Sequence, residues 1–322
     1  RGRVIDLVGH TSSGKTTLAL TAIAELQKSK KAVGEQANVL YVDAECAIDP
    51  RYAKMLGVDM DEVYLIQPDN GEDGYLAAEM FIASGVADLV VIDSIAAMIP
   101  KAMLEVELGD QPQIAMGARL DSQGIARLFN IAHKTKCTVI LINQWKTAVR
   151  PNQMSRTDGV SGNQYQPGGE TFKFYLTQMV ELQRVGKIYE GDTLISNQVR
   201  VRVLKNKIAP PGRECDIFIT FGVGLDVIQE AIELGLQTES VIRSGRSMYS
   251  VSPEIMPNLP PDEEPPRFNG RPKFVEWLKE NPEIVQRIRK SISEKLLQGN
   301  SGEERIGLAD GTETQDVAPI TD

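Results

Sequence analysis

Gly9-His10-Thr11-Ser12-Ser13-Gly14-Lys15-Thr16-Thr17 decides the reading of this chain, because it fits the phosphate-binding pattern G-x-x-x-x-G-K-[ST]. Ahead of it, the apolar run Val4 to Val8 predicts a buried strand. Behind it, Thr17 to Leu26, with Leu18, Ala19, Ala22, Ile23 and Leu26 apolar, predicts a helix. The glycine-rich turn therefore opens a helix, where successive backbone N–H groups and the positive dipole end can hold phosphate oxygens. In that setting Gly9, Ser12, Ser13, Gly14, Thr16 and Thr17 form the cradle, Lys15 reaches the β- and γ-phosphates, and the Thr16 hydroxyl suits Mg²⁺. A nucleoside triphosphate is the expected ligand. The plainer alternative, a turn that happens to be rich in glycine, does not account for the strand before it and the helix after it.

The chain has 322 residues, 42% of them hydrophobic, enough for one sizeable core and a smaller accessory domain. Its longest apolar stretches, such as Leu89 to Ile92 and Val139 to Ile142, are strand-sized, so no membrane segment and a cytoplasmic location are expected. Cys46, Cys137 and Cys215 are odd in number and lack C-x-x-C spacing, which argues against a disulfide framework or a zinc site and reads as ordinary buried thiols. The net charge of −9 argues against coating nucleic acid by bulk electrostatics, although a local basic groove remains compatible with it. Beyond Asn300, Glu303, Glu304, Asp310, Glu313, Asp316 and Asp322 face a single Arg305, the composition of a solvated, disordered acidic tail. The chain starts at Arg1 and enters its first strand at once, so further residues are expected upstream.

Strand-like runs then alternate with helical ones: Asn38 to Val42 and Pro50 to Leu56; Val63 to Ile66 and Gly74 to Ala83; Leu89 to Ile92 and Ile114 to His133; then Thr138 to Ile142. This predicts βαβ units around a parallel sheet, with ligands at the carboxyl ends of its strands. The suggestive side chains fall there. Asp93 follows one strand and suits the Mg²⁺ shell beside Thr16, or caps a helix. Glu45 follows another and can orient and deprotonate an attacking water, or is a surface acid. Gln144 ends a third, where an amide that both donates and accepts can sense a γ-phosphate, or simply closes the strand.

Two irregular stretches lie at the same end. Trp145 to Gly169 carries Lys146, Arg150 and Arg156 among glycines, and a loop of that length in a compact domain points to ligand binding switched by nucleotide. Glu105 to Gln113 is the second, and the two together could grip a polymer. Farther on, Gln178 to Val185 and Gln198 to Val203 alternate around Glu190-Gly191-Asp192, predicting an antiparallel hairpin that extends the sheet. It leads into Lys205-Asn206-Lys207, whose two lysines at i and i+2 of an extended segment point the same way. They address one anionic target or guard a solvated edge.

Ser12-Ser13-Gly14-Lys15-Thr16-Thr17, Asp43-Ala44-Glu45, Asp49-Pro50 with Tyr52, Ile92-Asp93-Ser94, Ile142-Asn143-Gln144, Gly168-Gly169 with Lys173-Phe174-Tyr175, and Lys205-Asn206-Lys207-Ile208-Ala209 together make the chain resemble the RecA-type recombinases of bacteria and phages, from Gly2 to about Leu297. The resemblance implies an α/β fold: a RecA-like P-loop ATPase core with a mostly parallel sheet over residues 1–227, its N-terminal polymerisation arm lying upstream. A small C-terminal α/β domain that gathers duplex DNA would follow over 228–300, and an acidic tail over 301–322. It implies a DNA-dependent ATPase that forms helical filaments on single-stranded DNA and exchanges strands with double-stranded DNA in recombination, repair and the SOS response. ATP and Mg²⁺ are its cofactors, and a LexA-like repressor and single-strand-binding protein its further partners, near the nucleoid.

Residue by residue, the resemblance implies that Glu45 activates water, Gln144 senses the γ-phosphate, and Asp49 with Tyr52 holds and stacks the adenine. Lys205 and Lys207 would reach the phosphates of a neighbouring subunit, as an arginine finger does. Phe174 would lie at the subunit interface. Glu105 to Gln113 and Trp145 to Gln166 would be the DNA-binding loops, with Ile114 and Val149 as wedges between base triplets or as core residues. Arg119, Arg127 and Lys146 would meet the DNA backbone, with Gly168 and Gly169 alongside. The chain departs from the family at His10 and Thr11 in the phosphate loop and in a longer second loop. Met179 and Gln183 stand at positions where arginines are usual, and Pro257 to Pro266 is an insert. A RecA-core regulatory ATPase and a ring-forming translocase remain the rival readings.

Overall fold

The structure is a computed structural model that describes residues 1–106, 116–147, 164–165, 169–190, 192–245, 247–260 and 263–299. The chain divides into two compact units, Arg1–Asp226 and Val227–Asp322. In the first, chain order runs β1 (Val4–Gly9), α1 (Lys15–Lys31), β2 (Val39–Asp43), α2 (Pro50–Met55), β3 (Val63–Ile66), α3 (Gly71–Ala83), β4 (Leu89–Asp93), α4 (Lys101–Leu104), α5 (Met116–Thr135) and β5 (Thr138–Gln144). It continues through β6 (Lys146–Thr147), β7 (Gln164–Tyr165), α6 (Gly169–Tyr175), β8 (Gln178–Glu190), β9 (Thr193–Asn206), β10 (Glu214–Thr220) and β11 (Gly224–Leu225).

Among the described residues, nine strands form one sheet in the order β11-β10-β9-β8-β1-β5-β4-β2-β3. The pairs from β8 to β3 are parallel, and β8 through β11 continue antiparallel. The central strands β2 and β4 are buried on both faces, as parallel strands covered by helices must be. Side-chain alternation splits the core. One face packs Val4, Val8, Val90, Ile92, Val139 and Leu141 against Tyr75, Ile82, Ile125, Leu128 and Phe172 of α3, α5 and α6. The other packs Leu7, Val39, Tyr41, Val91, Ile140 and Ile142 against Leu20 and Ile23 of α1 and Ala53 of α2. Each fully buried Ile or Leu here is worth about 1.5–3 kcal/mol of transfer free energy, enough to fix the strand register.

The second unit holds α7 (Val227–Gln237), β12 (Val241–Ser244), β13 (Met248–Val251), β14 (Phe268–Asn269), α8 (Arg271–Glu280) and α9 (Pro282–Gly299). Its strands form an antiparallel sheet in the order β12-β13-β14, packed on Ile232, Phe274, Leu278 and Ile288. Phe274 lies at the centre, 5.9 Å from Trp277 and 5.6 Å from Phe268 between ring centroids.

The structure departs from two expectations. Cys46 and Cys215 are exposed, and only Cys137 is buried, its thiol pKa pushed up to about 12 chiefly by burial. The stretch from Trp145 to Gly169 is also not wholly irregular. Lys146–Thr147 and Gln164–Tyr165 pair antiparallel, and α6 begins at Gly169.

Candidate active site

The cradle forms because the carboxyl end of β1 turns sharply into α1. Gly14 caps α1 at φ 91°, a left-handed conformation that favours glycine, and Ile219 Cδ1 of β10 lies over it, 2.2 Å from where a Cβ would stand. Gly9 is fixed by its neighbour in the same way, since a Cβ on it would lie 2.3 Å from the carbonyl oxygen of Leu182. Ser12, at φ 59°, adds a second left-handed residue, and the alternation bends successive N–H groups towards one concavity.

Inside it Lys15 is only 6% exposed. Its Nζ donates to the carbonyls of Gly9 at 3.1 Å and His10 at 2.8 Å and approaches Ser13 Oγ at 3.5 Å. Burial lowers its pKa, against the opposing pull of Asp93 and Glu45. Thr16 Oγ1 donates to Asp93 Oδ2 at 2.8 Å, and Tyr41 donates to the same oxygen at 2.7 Å. Burial raises the Asp93 pKa; the two hydroxyl bonds hold it down, and Glu45 and Asp43 add to the rise.

Strand register brings the remaining groups to this level. Asp43 lies opposite Asp93, and Gly9 opposite Gln144. Past β2 the chain bends through Ala44 and Glu45, whose amides donate to the Asp93 carbonyl at 2.8 and 3.2 Å. The Asp43 carboxylate holds this bend by accepting from the amides of Ala47 and Ile48 and from Gln67 Nε2. Glu45 Oε1 then accepts from Ser94 Oγ and, at 2.9 Å, from Gln144 Nε2. The sheet thus unites Lys15, Thr16, Asp93, Glu45 and Gln144. Asp43 and Ser94 stand inside quoted motifs without an assigned role, whereas the partners Tyr41 and Gln67 carry no sequence motif.

Tyr52 lies on α2, and Asp49 is the N-cap of that helix. The Asp49 carboxylate caps α2 through the Arg51 amide at 2.8 Å, and the Tyr52 hydroxyl meets Thr17 Oγ1 at 2.8 Å. Past β10, Met55 and Leu56 lie beside Gly222 and Gly224, and Phe221 is 54% exposed.

The lysine pair lies elsewhere on the sheet. Lys205 Nζ donates to the Lys173 carbonyl and Lys207 Nζ to the Phe174 carbonyl, both at the carboxyl end of α6. Burial and the charges of Lys207 and Lys173 lower the pKa of Lys205. Phe174 is 72% exposed. Arg127 on α5 pairs with Glu79 at 2.9 Å, and Arg119 is exposed nearer the start of that helix. Ile114, Val149 and Gly168 lie outside the described residues, and of Lys146 only the backbone is described.

The chain matches the RecA N-terminal domain over residues 1–226. Protein RecA from Staphylococcus aureus strains JH9 and Newman is 38% identical to it over 321 residues, covering 98% of this chain and 82% of the relative. The chain belongs to the RecA family. It is accordingly a nucleotide-binding, DNA-dependent ATPase with the family's recombinase function, which entails DNA binding and filament formation. Among the described residues, no helix is long and apolar enough to cross a membrane.

Proposed function

We propose that this site hydrolyses ATP between adjacent subunits of a filament on single-stranded DNA, with Glu45 as the base and Gln144 as the γ-phosphate sensor. The observation that carries this is the Glu45 carboxylate, bonded to Ser94 and Gln144 at the sheet end that also holds Lys15, Thr16 and Asp93. The cradle of Gly9, Ser12, Ser13, Gly14, Lys15, Thr16 and Thr17 binds the phosphates. Lys15, already desolvated, exchanges its carbonyl partners for phosphate oxygens. Thr16 Oγ1 and the buried Asp93 carboxylate, 2.8 Å apart, are hard oxygen donors that fit Mg²⁺. Bound there, the ion would offset phosphate charge. Glu45 takes the proton of the attacking water once Gln144 turns its amide from Glu45 to the γ-phosphate, and that turn moves the segment after Gln144.

Asp49 and Tyr52 border the base, and the exposed Phe221 beside α2 supplies a further apolar wall. Lys205 and Lys207 act on the neighbour's phosphates, and Phe174 docks against the neighbour. DNA is held by the segments containing Ile114, Arg119, Lys146, Val149, Gly168 and Gly169. The pairing of Arg127 with Glu79 supports a weaker share for that residue. Residues 228–300 gather duplex DNA for strand exchange, and the acidic segment 301–322 competes with it. A LexA-like repressor and single-strand-binding protein complete the partners, in the cytoplasm at the nucleoid.

ATP hydrolysis with and without single-stranded DNA, for the wild type and Lys205→Ala, tests this reading. DNA stimulation that the variant loses supports a shared site; equal stimulation in both removes Lys205 from the mechanism.

A further inference from the structure

Directly after Gln144 stands Trp145, whose indole Nε1 donates to Glu181 Oε1 at 3.0 Å. Trp145 directly follows β5 and Glu181 lies on β8, with β1 between β5 and β8. In register, Asn143 lies opposite Val8, Val8 opposite Glu181, Glu181 opposite Arg202, and Arg202 opposite Glu214. Five residues thus make one row across five adjacent strands, and Trp145 packs against the core cluster that includes Val8.

The acceptor is itself held. Arg202 Nη1 lies 3.8 Å from the second Glu181 oxygen, and its Nε lies 3.1 Å from Glu214 Oε2. The Glu181 side chain is 17% exposed, so its charge is better shielded from water than that of Glu214 at 47%. A partly buried indole N–H needs an acceptor, and an ionised one gives the stronger bond. The residue beside Gln144 is therefore tied to the strand flanking the phosphate-loop strand. Meanwhile the Gln144 amide reaches Glu45, and the hydrogen bonds of Lys15, Thr16 and Asp93 described above involve none of these groups.

We propose that Glu181 is a positioning residue for hydrolysis: by holding Trp145 it sets the reach and turn of the Gln144 amide. The inference rests on the reading of Gln144 as the γ-phosphate sensor. A slack Trp145 leaves nucleotide binding intact and misplaces the group that responds to it, so kcat falls while the KM for ATP holds.

The test uses Glu181→Ala and Glu181→Gln, the latter keeping an acceptor oxygen, beside Gln144→Ala. Each is also made with Trp277→Phe, which leaves Trp145 as the sole tryptophan of the two. For Glu181→Ala we expect DNA-stimulated kcat down about tenfold at constant KM, with a shifted Trp145 emission. Glu181→Gln should recover most of both. Unchanged kcat in Glu181→Ala, or an equal loss in both variants with unmoved emission, overturns the proposal. If Gln144→Ala cuts hydrolysis while Glu181→Ala does not, the positioning role alone falls. Full activity in Gln144→Ala overturns the sensor reading and the inference with it.

Discussion

Lys15 and the Lys205–Lys207 pair are cations held in opposite ways. Lys15 sits inside its own loop, desolvated and satisfied by two carbonyls that a phosphate can replace. Lys205 and Lys207 rest on the carbonyls of Lys173 and Phe174, next to an aromatic ring left 72% exposed. One region is a finished cradle within a single chain. The other lies beside that exposed ring, and if it meets a second copy there, binding belongs to the subunit and hydrolysis to the assembly.

The sharpest way to break this contrast is Lys15→Ala. It should abolish nucleotide binding by the isolated protein and lower hydrolysis about 10³-fold or more, measured by equilibrium binding and phosphate release. Lys205→Ala comes next, with DNA-stimulated hydrolysis down by about 10²–10³-fold and nucleotide affinity of the isolated protein unchanged. Equal loss of binding in the two variants would erase the distinction.

Phe174→Ala sharpens it further. Because the ring is exposed, thermal stability should stay within about 0.5 kcal/mol, while the protein concentration needed for assembly on DNA, followed by light scattering, rises about tenfold. The smallest effect concerns the antiparallel end of the sheet, where Arg200 bonds Asp216 at 2.9 Å and holds its pKa below the usual carboxylate range. A depressed carboxylate pKa adds stability above its unfolded value, and that gain disappears as pH falls through the folded value. Asp216→Asn should therefore cost less than about 1 kcal/mol at neutral pH and nothing in strong acid, read from urea melts across pH.

The cradle was legible because its chemistry is contiguous: one strand, one glycine-rich turn and one helix in a row. Glu45, Asp93 and Gln144 were legible for a second reason, since a parallel sheet gathers its carboxyl strand ends and all three fall there. The Tyr41 bond to Asp93 was not, because a tyrosine in a buried strand reads as core until the neighbouring strand is known. Trp145 stands in the sequence as the first residue of a loop. Its link to Glu181 depends on β8 joining beside β1, a pairing between segments more than 160 residues apart that no local pattern carries. Arg127 reads as a free cation for DNA, and only the packing of α3 on α5 supplies Glu79. The cysteines were misread because spacing reports pairing chemistry and says nothing of exposure.

A mixing experiment tests the central claim most directly. On the proposed reading, Lys15→Ala lacks a working cradle but keeps the lysine pair, and Lys205→Ala keeps the cradle but lacks a lysine that acts on the neighbour. If one site spans two subunits, equimolar mixing on single-stranded DNA should restore about a quarter of the wild-type rate, the share of interfaces that random assembly composes correctly. A mixture no faster than the two variants measured separately would contradict the account and return the whole reaction to a single chain.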